Sequence, residues 1–239
     1  MINELLWVVL LIVTFSGTIL AYRFFGKMGL YCWMAMAIIL ANIQVMKTVQ
    51  IFWLVTALGN IIYGTTFLVT DILSENYGLK EARKAVWIGF FVLITVTIIM
   101  QICLAFVPDV SDSLSPALEQ IFGLLPRIAV ASLTAYIISQ LHDVWAFAFW
   151  KKLFKGKYLW LRNNFSTITS QLIDNVIFTW IAFVGLFGLF GWGQVFDWSI
   201  IFQIFIVSYA MKIVIAAVDT PFVYLSKWIK NKYYKKDLC

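Results

Sequence analysis

Apolar residues in this chain run in blocks about as long as a bilayer is thick, and short clusters of charged residues separate the blocks. A hydrocarbon core of about 30 Å requires roughly 20 consecutive apolar residues in a helix. A soluble fold would instead show its apolar positions in stripes with a period of 3.6 or 2. The pattern predicts an all-α polytopic membrane helix bundle with seven transmembrane helices: Ile2–Tyr22, Leu30–Met46, Ile51–Thr70, Ala85–Val107, Ala117–Leu141, Phe165–Phe190 and Ser199–Val218.

Two parts of this pattern depart from ideal membrane helices. The second span is short, and only Met46–Gln50 separates it from the third, without Gly or Pro. A chain of six spans with a broken helix at that point is therefore the alternative. The fifth apolar run continues past Leu141 to Trp150 and exceeds what the bilayer requires. We expect it to tilt, to kink near Pro126 or to project into the cytoplasm.

Composition supports a membrane protein. Of the 239 residues, 62% are apolar and 13% are charged, whereas a soluble domain has about 25% charged residues. Seven spans of about 20 residues use most of this length, so we expect no separate soluble domain.

Basic residues between the spans lie almost entirely on one side of the predicted membrane. Lys47 is the one basic residue on the other side, where the remaining connections carry Asp109, Asp112 and Asp197. Because basic loops stay in the cytoplasm, we expect the cytoplasmic (inner) membrane, an N-terminus outside and a cytoplasmic C-terminus. The basic connections hold Arg23, Lys27, Lys80, Arg83, Lys84, Lys151, Lys152, Lys155, Lys157, Arg162, Lys227, Lys230, Lys232, Lys235 and Lys236.

Several charged and polar residues fall within or at the ends of the spans. A charge at the bilayer centre costs at least about 2.5–3.5 kcal/mol, so Arg127, Asp174 and Lys212 need partners or a function. Asp174 and Asn175 lie three and four residues after Gln171, so all three point to one side of the helix. Interhelical ion pairs would account for the charges alone. The amides favour a polar cavity that accepts a solute: Asn42, Gln44, Gln101, Gln140, Gln171, Asn175 and Gln203.

Common catalytic and metal-binding motifs are missing from the sequence. His142 is its only histidine, and it contains neither a G-x-x-x-x-G-K-[ST] phosphate loop nor a G-x-S-x-G elbow. Cys32 and Cys103 lie inside apolar runs and Cys239 is the last residue, without metal-site spacing. We therefore expect a protein that is not an enzyme and binds no cofactor or metal.

Four blocks of the sequence carry a family resemblance. They are Thr66–Gly78 followed by Ala82–Lys84; Arg127–Ser132 running to Gln140 and Asp143; Leu159–Asn164 with Ser166, Thr167 and Gln171–Asp174; and Tyr209 with Lys212 and Asp219–Phe222. In this order they resemble the queuosine precursor transporters, a bacterial vitamin-uptake-type family, over roughly residues 35–225. The resemblance implies an additional N-terminal helix at 1–22, a six-helix transporter core at 28–226 and a basic cytoplasmic tail at 227–239.

The resemblance also implies what the protein transports. Members import 7-deazaguanine bases such as 7-cyano-7-deazaguanine, 7-aminomethyl-7-deazaguanine or queuine for tRNA modification. The implied partners are this nucleobase substrate and the lipid bilayer, with no nucleic acid, and a homodimer or a coupling module remains open. Two other functions also remain open: a substrate-capture subunit of an ATP-driven vitamin uptake complex, and a non-transporting membrane scaffold with structural ion pairs.

The candidate residues suit a guanine-like base. Its N–H edge can donate two hydrogen bonds to a carboxylate while an amide or a cation donates to its carbonyl, and its ring can stack on an aromatic side chain. We expect the site between the third, fifth, sixth and seventh spans, with Asp174 or Asp143 as the carboxylate that reads this edge. The predicted substrate-binding residues are Asn42, Phe67, Asp71, Arg127, Gln140, Asp143, Gln171, Asp174 and Lys212.

Overall fold

The computed structural model of the chain describes residues 2–44, 47–51, 54–122, 126–185, 193–194 and 197–234, without the side chains of residues 48, 51, 54–57, 126–129 and 200. Within these ranges the chain forms an α-helical bundle with one short β-hairpin. The elements are α1 Ile2–Gln44, β1 Thr48–Ile51, β2 Leu54–Ala57, α2 Gly59–Asn76, α3 Leu79–Ala105, α4 Ser115–Phe122, α5 Pro126–Leu153, α6 Leu159–Thr179 with a π-helical turn at Trp180–Val184, and α7 Trp198–Tyr233.

Helix α1 contains the first predicted span and the second one as far as Gln44, and residues 45–46 lie outside the described chain. It bends sharply at Gly26, whose φ of 57° and ψ of −141° are unfavourable for any residue with a side chain. The two halves fold back on each other, since the Trp33 ring occupies the space that a Cβ at Gly17 would need. With α1 counted as two membrane helices, the described bundle has the seven long helices that the sequence predicts, and the short α4 is additional.

The start of the third predicted span is wrong. Strands β1 and β2 pair as an antiparallel hairpin, with Thr48 opposite Ala57 and Ile51 opposite Leu54, and the helix begins only at Gly59. This segment is rich in β-branched residues, which favour extended backbone. The hairpin also replaces the broken helix of the six-span alternative, because it separates α1 from α2.

Further boundaries differ from the sequence prediction: α2 ends at Asn76 instead of Thr70, and α3 begins at Leu79 instead of Ala85. The predicted fifth span is divided into α4 and α5. Helix α5 begins at Pro126, a residue well suited to the first helical position, and runs 12 residues beyond Leu141. Helix α6 begins six residues before Phe165, while residues 186–190 of the predicted sixth span lie outside the described chain. Helix α7 continues through Pro221 to Tyr233, so Lys227, Lys230 and Lys232 are helical.

Polar and apolar residues are distributed as in a membrane protein. By length and composition, Ile2–Gln44, Leu79–Ala105, Leu159–Val184 and Ile201–Tyr233 qualify as membrane-spanning helices. Large apolar side chains such as Phe91, Ile98, Ile99 and Ile102 are exposed on the outside, whereas many charged and polar side chains are buried. A surface of this kind suits lipid, and polar groups inside it need protein partners. The chain is therefore a multi-pass membrane protein.

Candidate functional site

One polar cluster joins four helices in the middle of the bundle. Asp174 of α6 accepts hydrogen bonds from Tyr63 of α2 (2.6 Å) and Ser139 of α5 (3.1 Å), and Lys212 of α7 forms an ion pair with it at 2.5 Å. Asp174 is 5% exposed and Lys212 is 6% exposed. Tyr63, Ser139, Asp174 and Lys212, here called the Asp174 cluster, come from the third, fifth, sixth and seventh predicted spans.

Two buried amides lie next to the Asp174 cluster. Gln140 follows Ser139 and donates to the Thr66 hydroxyl at 2.6 Å. Gln171 lies three residues before Asp174 on the same helix face. The side-chain oxygens of both amides are buried and accept no hydrogen bond from the described residues. Because an unpaired buried acceptor is costly, these oxygens point to a donor that an occupant would supply.

Asp71 of α2 and Asp143 of α5, here called the Asp pair, lie side by side, because the hydroxyl oxygen of Thr70, the residue before Asp71, is 3.4 Å from Asp143 Oδ2. The Thr167 hydroxyl donates to Asp71 at 3.2 Å, whereas the Thr70 hydroxyl donates within its own helix and its oxygen lies 3.4 Å from Asp143 Oδ2. Both aspartates are fully buried. The second oxygen of each carboxyl group has no hydrogen-bond donor among the described residues.

A charged network closes one end of the bundle. Glu75 of α2 forms ion pairs with Arg162 of α6 at 2.7 Å, with Lys151 of α5 at 2.9 Å and with Lys227 of α7 at 2.9 Å. These four residues are here called the Glu75 network, and their end of the bundle is called the basic end. Lys27 pairs with Glu81 at 3.2 Å. The four basic connections predicted to share one side of the membrane therefore meet at one end.

The three groups form one polar column between α2, α5, α6 and α7. Helices α2 and α6 run antiparallel, because Tyr63 contacts Asp174, Asp71 contacts Thr167 and Glu75 contacts Arg162. The twelve residues from Tyr63 to Glu75 correspond to a rise of about 18 Å at 1.5 Å per residue. The column thus covers much of the thickness of a membrane core.

Hydroxyl residues line this column on helices that are otherwise apolar. Thr66 and Thr70 of α2 donate to the carbonyl oxygens of Tyr63 and Phe67, at 2.7 Å and 2.8 Å. Such bonds within the helix satisfy a buried hydroxyl, and the hydroxyl oxygens can still contact side chains of the neighbouring helices. The same helix contains Gly64, which allows Ile215 of α7 to approach its backbone closely.

The nine predicted site residues differ in where they lie relative to the polar column. Asp174 and Lys212 belong to the Asp174 cluster, Gln140 and Gln171 adjoin it, and Asp71 and Asp143 form the Asp pair. Phe67 is buried on α2 with its ring edge-on to Tyr63, at 5.6 Å between centroids. Asn42 is half-buried on α1, where it donates to the Ile38 carbonyl, and none of its described bonds reaches the column. The Arg127 side chain lies outside the described residues.

The prediction omitted several residues that the structure places in the column. Tyr63 and Ser139 were missed because hydroxyl residues are common in apolar helices and carry no charge to mark them. Glu75 and Arg162 were treated as part of a loop and a basic connection, but both are buried. One available signal was their presence in the blocks Thr66–Gly78 and Leu159–Asn164. Asn163 and Asp219, which share a 2.6 Å hydrogen bond, lie in those blocks too.

Comparison with known proteins gives a consistent result. Residues 57–226 match the model of a family described as "Putative vitamin uptake transporter". A protein of Bacillus subtilis (strain 168) named "Probable queuosine precursor transporter" is 44% identical over 228 residues, which cover 95% of this chain and 96% of that protein.

Two more distant relatives carry similar names. The "Queuosine precursor transporter" of Escherichia coli (strain K12) is 29% identical over 60% of this chain and 62% of its own length. The "Probable queuosine precursor transporter" of Haemophilus influenzae is 29% identical over 52% of this chain and 51% of its own length. The comparison with solved structures found no match. The chain therefore belongs to the vitamin uptake transporter family of membrane proteins, together with the queuosine precursor transporters.

Proposed function

We propose that this protein imports queuosine precursors, the 7-deazaguanine bases used for tRNA modification, and that it works as a transporter rather than as an enzyme. The named relative from Bacillus subtilis supports this, because it matches the chain over nearly its whole length. The basic end faces the cytoplasm in this proposal, as the positive-inside rule requires. The membrane is then the cytoplasmic (inner) membrane, with the N-terminus outside.

The buried acceptor oxygens of Gln140 and Gln171, next to Asp174, are the observation that carries this proposal. A deazaguanine edge presents several N–H donors close together, which is what these oxygens lack. Asp174 already has three partners. A bound base would displace the Tyr63 or Ser139 hydroxyl and donate to the carboxylate in its place. Phe67 and Tyr63 offer aromatic faces for the ring.

Uptake of tritiated 7-cyano-7-deazaguanine into cells tests the proposal. The cells should lack their own precursor synthesis and uptake and express either this protein or its Asp174→Asn variant. A hydrogen bond to a charged group is worth about 1.5–3 kcal/mol, which corresponds to roughly a tenfold to hundredfold weaker apparent affinity for the variant. Asp197→Asn is the matched control, because Asp197 is exposed at the start of α7.

Immunodetection of each protein in isolated membranes separates lost function from lost expression. We expect wild-type uptake to saturate, the Asp174→Asn variant to show the weaker apparent affinity after correction for its amount in the membrane, and the control to match the wild type. If the wild type takes up none of the three precursors, the proposed function is contradicted. Normal uptake by the Asp174→Asn variant would contradict the site assignment and leave the function standing.

Purified protein in liposomes distinguishes a carrier from a substrate-capture subunit. The sequence contains no phosphate-binding loop, so any accumulation must use an ion gradient or a separate ATP-driven module. We propose a carrier that works alone. It should then exchange external labelled base for internal unlabelled base without another protein. Tight binding of the base without any exchange would instead identify a capture subunit.

A further inference from the structure

The Asp pair consists of two neighbouring buried carboxyl groups, and the proposed recognition of the N–H edge of the base does not involve them. Asp71 and Asp143 are both 0% exposed. The Thr167 hydroxyl donates to Asp71 Oδ2 and the Thr70 hydroxyl oxygen lies near Asp143 Oδ2, while the Oδ1 atom of each aspartate lacks a donor among the described residues.

Among the described residues, no cation forms an ion pair with either carboxyl group of the Asp pair. On α7, Asp219 is close enough for its charge to act on both carboxyl groups. On α6, Arg162 pairs with Glu75 of α2. The two neighbouring titratable groups, His142 of α5 and Lys212 of α7, bond to Ser170 (2.9 Å) and to Asp174 (2.5 Å).

Two neighbouring carboxyl groups that are both fully buried cannot both remain ionised, because burial disfavours each charge and each charge raises the energy of the other. The simplest group that neutralises the Asp pair is one proton, shared between the two carboxyl groups.

A neighbouring amide gives independent support for a donor at this position. Asn163 is fully buried and its Nδ2 donates to Asp219 at 2.6 Å, so the amide group is aimed at the acidic residues. Its Oδ1 nonetheless accepts no hydrogen bond from the described residues. This oxygen and the Oδ1 atoms of the Asp pair are buried acceptors without a donor among the described residues, and such acceptors are stabilised by a species that donates.

We propose that Asp71 and Asp143 bind a proton that is co-transported with the substrate, an inference that rests on the proposed function. The Asp pair lies in the polar column between the Asp174 cluster and the Glu75 network. An O–H bond forms on one carboxyl oxygen when the pair is open to water from outside. The same O–H bond breaks when the pair opens toward the basic end, which restores the carboxylate, and no electrons are transferred.

Proteoliposomes containing the purified protein and a pH-sensitive dye test this inference. The probe is tritiated 7-cyano-7-deazaguanine, which is uncharged, so any proton moved with it appears as net proton transport. With an acidic exterior, we expect the wild type to accumulate the probe at least tenfold and the interior to acidify when the probe is added. A protonophore should abolish both signals while leaving exchange of labelled for unlabelled probe intact.

The Asp71→Asn and Asp143→Asn variants locate the proton. We expect each to lose gradient-driven accumulation and probe-dependent acidification. Asp109→Asn is the matched control, because Asp109 lies on an exposed loop and bonds only locally, to Ser111. It should behave as the wild type does.

The outcomes separate this inference from the proposed function. If the wild type exchanges the probe but accumulates it independently of the pH gradient and of the protonophore, the proton inference is overturned and the proposed function stands. The proton inference is also overturned if folded Asp71→Asn and Asp143→Asn variants still use the pH gradient to accumulate the probe against its concentration gradient. If the wild type exchanges none of the three precursors, both the proton inference and the proposed function are overturned. Because the wild-type measurement requires no substitution, the inference can fail even if the variants do not fold.

Discussion

At the scale of single residues, Asp174 and Lys212 depend on each other. Both are buried, and a buried charge without a partner is far less stable than a buried pair. Lys212 also lies 5.7 Å from the centre of the Tyr63 ring, whose face attracts a cation. The pair therefore has a structural role in addition to any contact with substrate, and the two roles can be separated by experiment.

The Asp174→Asn and Lys212→Met variants should each lower the free energy of unfolding by about 3–5 kcal/mol, because each leaves one buried charge uncompensated. The double variant should recover most of this loss and still fail to take up precursor. Thermal unfolding of the purified proteins in detergent measures the first effect and the uptake assay the second. A double variant less stable than both single variants would show that the pair is not coupled in this way.

Residue type alone predicted part of this site. Asp174, Lys212, Gln140 and Gln171 stand out in the sequence because polar groups inside a membrane are costly. Tyr63, which donates to the Asp174 carboxylate, could not be identified in this way. A tyrosine in an apolar run resembles many others until the helix opposite it is known.

At the scale of elements, two glycines determine how helices approach each other. Gly64 faces Ile215, which lies three residues after Lys212 on α7. A Cβ at this position would clash with a methyl group of a β-branched side chain, which has little rotamer freedom to move away. The contact fixes the distance between α2 and α7 next to the Asp174 cluster.

Gly64→Ala should therefore destabilise the protein by about 1–3 kcal/mol, the usual cost of overpacking a core. It should also weaken uptake, because Tyr63 and Lys212 would be moved apart from Asp174. The Ile215→Val variant keeps the clashing methyl in place, whereas Ile215→Ala removes it, so adding Gly64→Ala should cost less stability in the Ile215→Ala protein than in the Ile215→Val protein. Thermal unfolding in detergent compares each double variant with its own single variant, and an equal cost of Gly64→Ala in the two proteins would contradict the explanation.

Gly26 allows the sharp bend between the two halves of α1. Gly26→Ala should cost about 1–3 kcal/mol through backbone strain, and a Cβ there would also lie 3.1 Å from the Tyr234 ring. Gly156→Ala is the matched control, since Gly156 also has a positive φ, of 76°, but lies in an exposed loop with nothing near its Cβ position. Thermal unfolding should show a larger loss for Gly26→Ala; the reverse order would contradict this account.

At the scale of the whole molecule, the polar column has a charged closure at the basic end. Glu75 links α2 to α5, α6 and α7 through three cations. The Arg162 side chain is fully buried, which makes this more than a surface network. The same helices enclose the Asp pair and the Asp174 cluster, so movement of one helix changes all three groups together.

Cysteine accessibility tests the orientation of the bundle. In a variant with Cys32, Cys103 and Cys239 replaced by Ser, Ser113→Cys marks the exposed loop after α3 and Lys155→Cys marks the exposed loop after α5. A membrane-impermeant thiol reagent should label Ser113→Cys in intact cells and Lys155→Cys only after permeabilisation. The opposite labelling pattern would reverse the proposed orientation.

The sequence by itself determined the class of the protein, the number of long helices and the gathering of basic residues at one end. These features follow from the lengths of apolar blocks and the positions of charges, which need no knowledge of contacts. The same reasoning failed at the β-hairpin and at the ends of α5, α6 and α7, because hydropathy does not mark where a helix leaves the bilayer.

Only the tertiary structure decided which polar groups meet. Asp71 and Asp143 are 72 residues apart and lie on different helices, and their contact depends on the packing angle and register of those helices. The same holds for Glu75 and Arg162, which occupy loop positions in a hydropathy profile and yet pair inside the bundle. A sequence records the cost of each buried charge, whereas the partner that offsets this cost is set by three-dimensional packing.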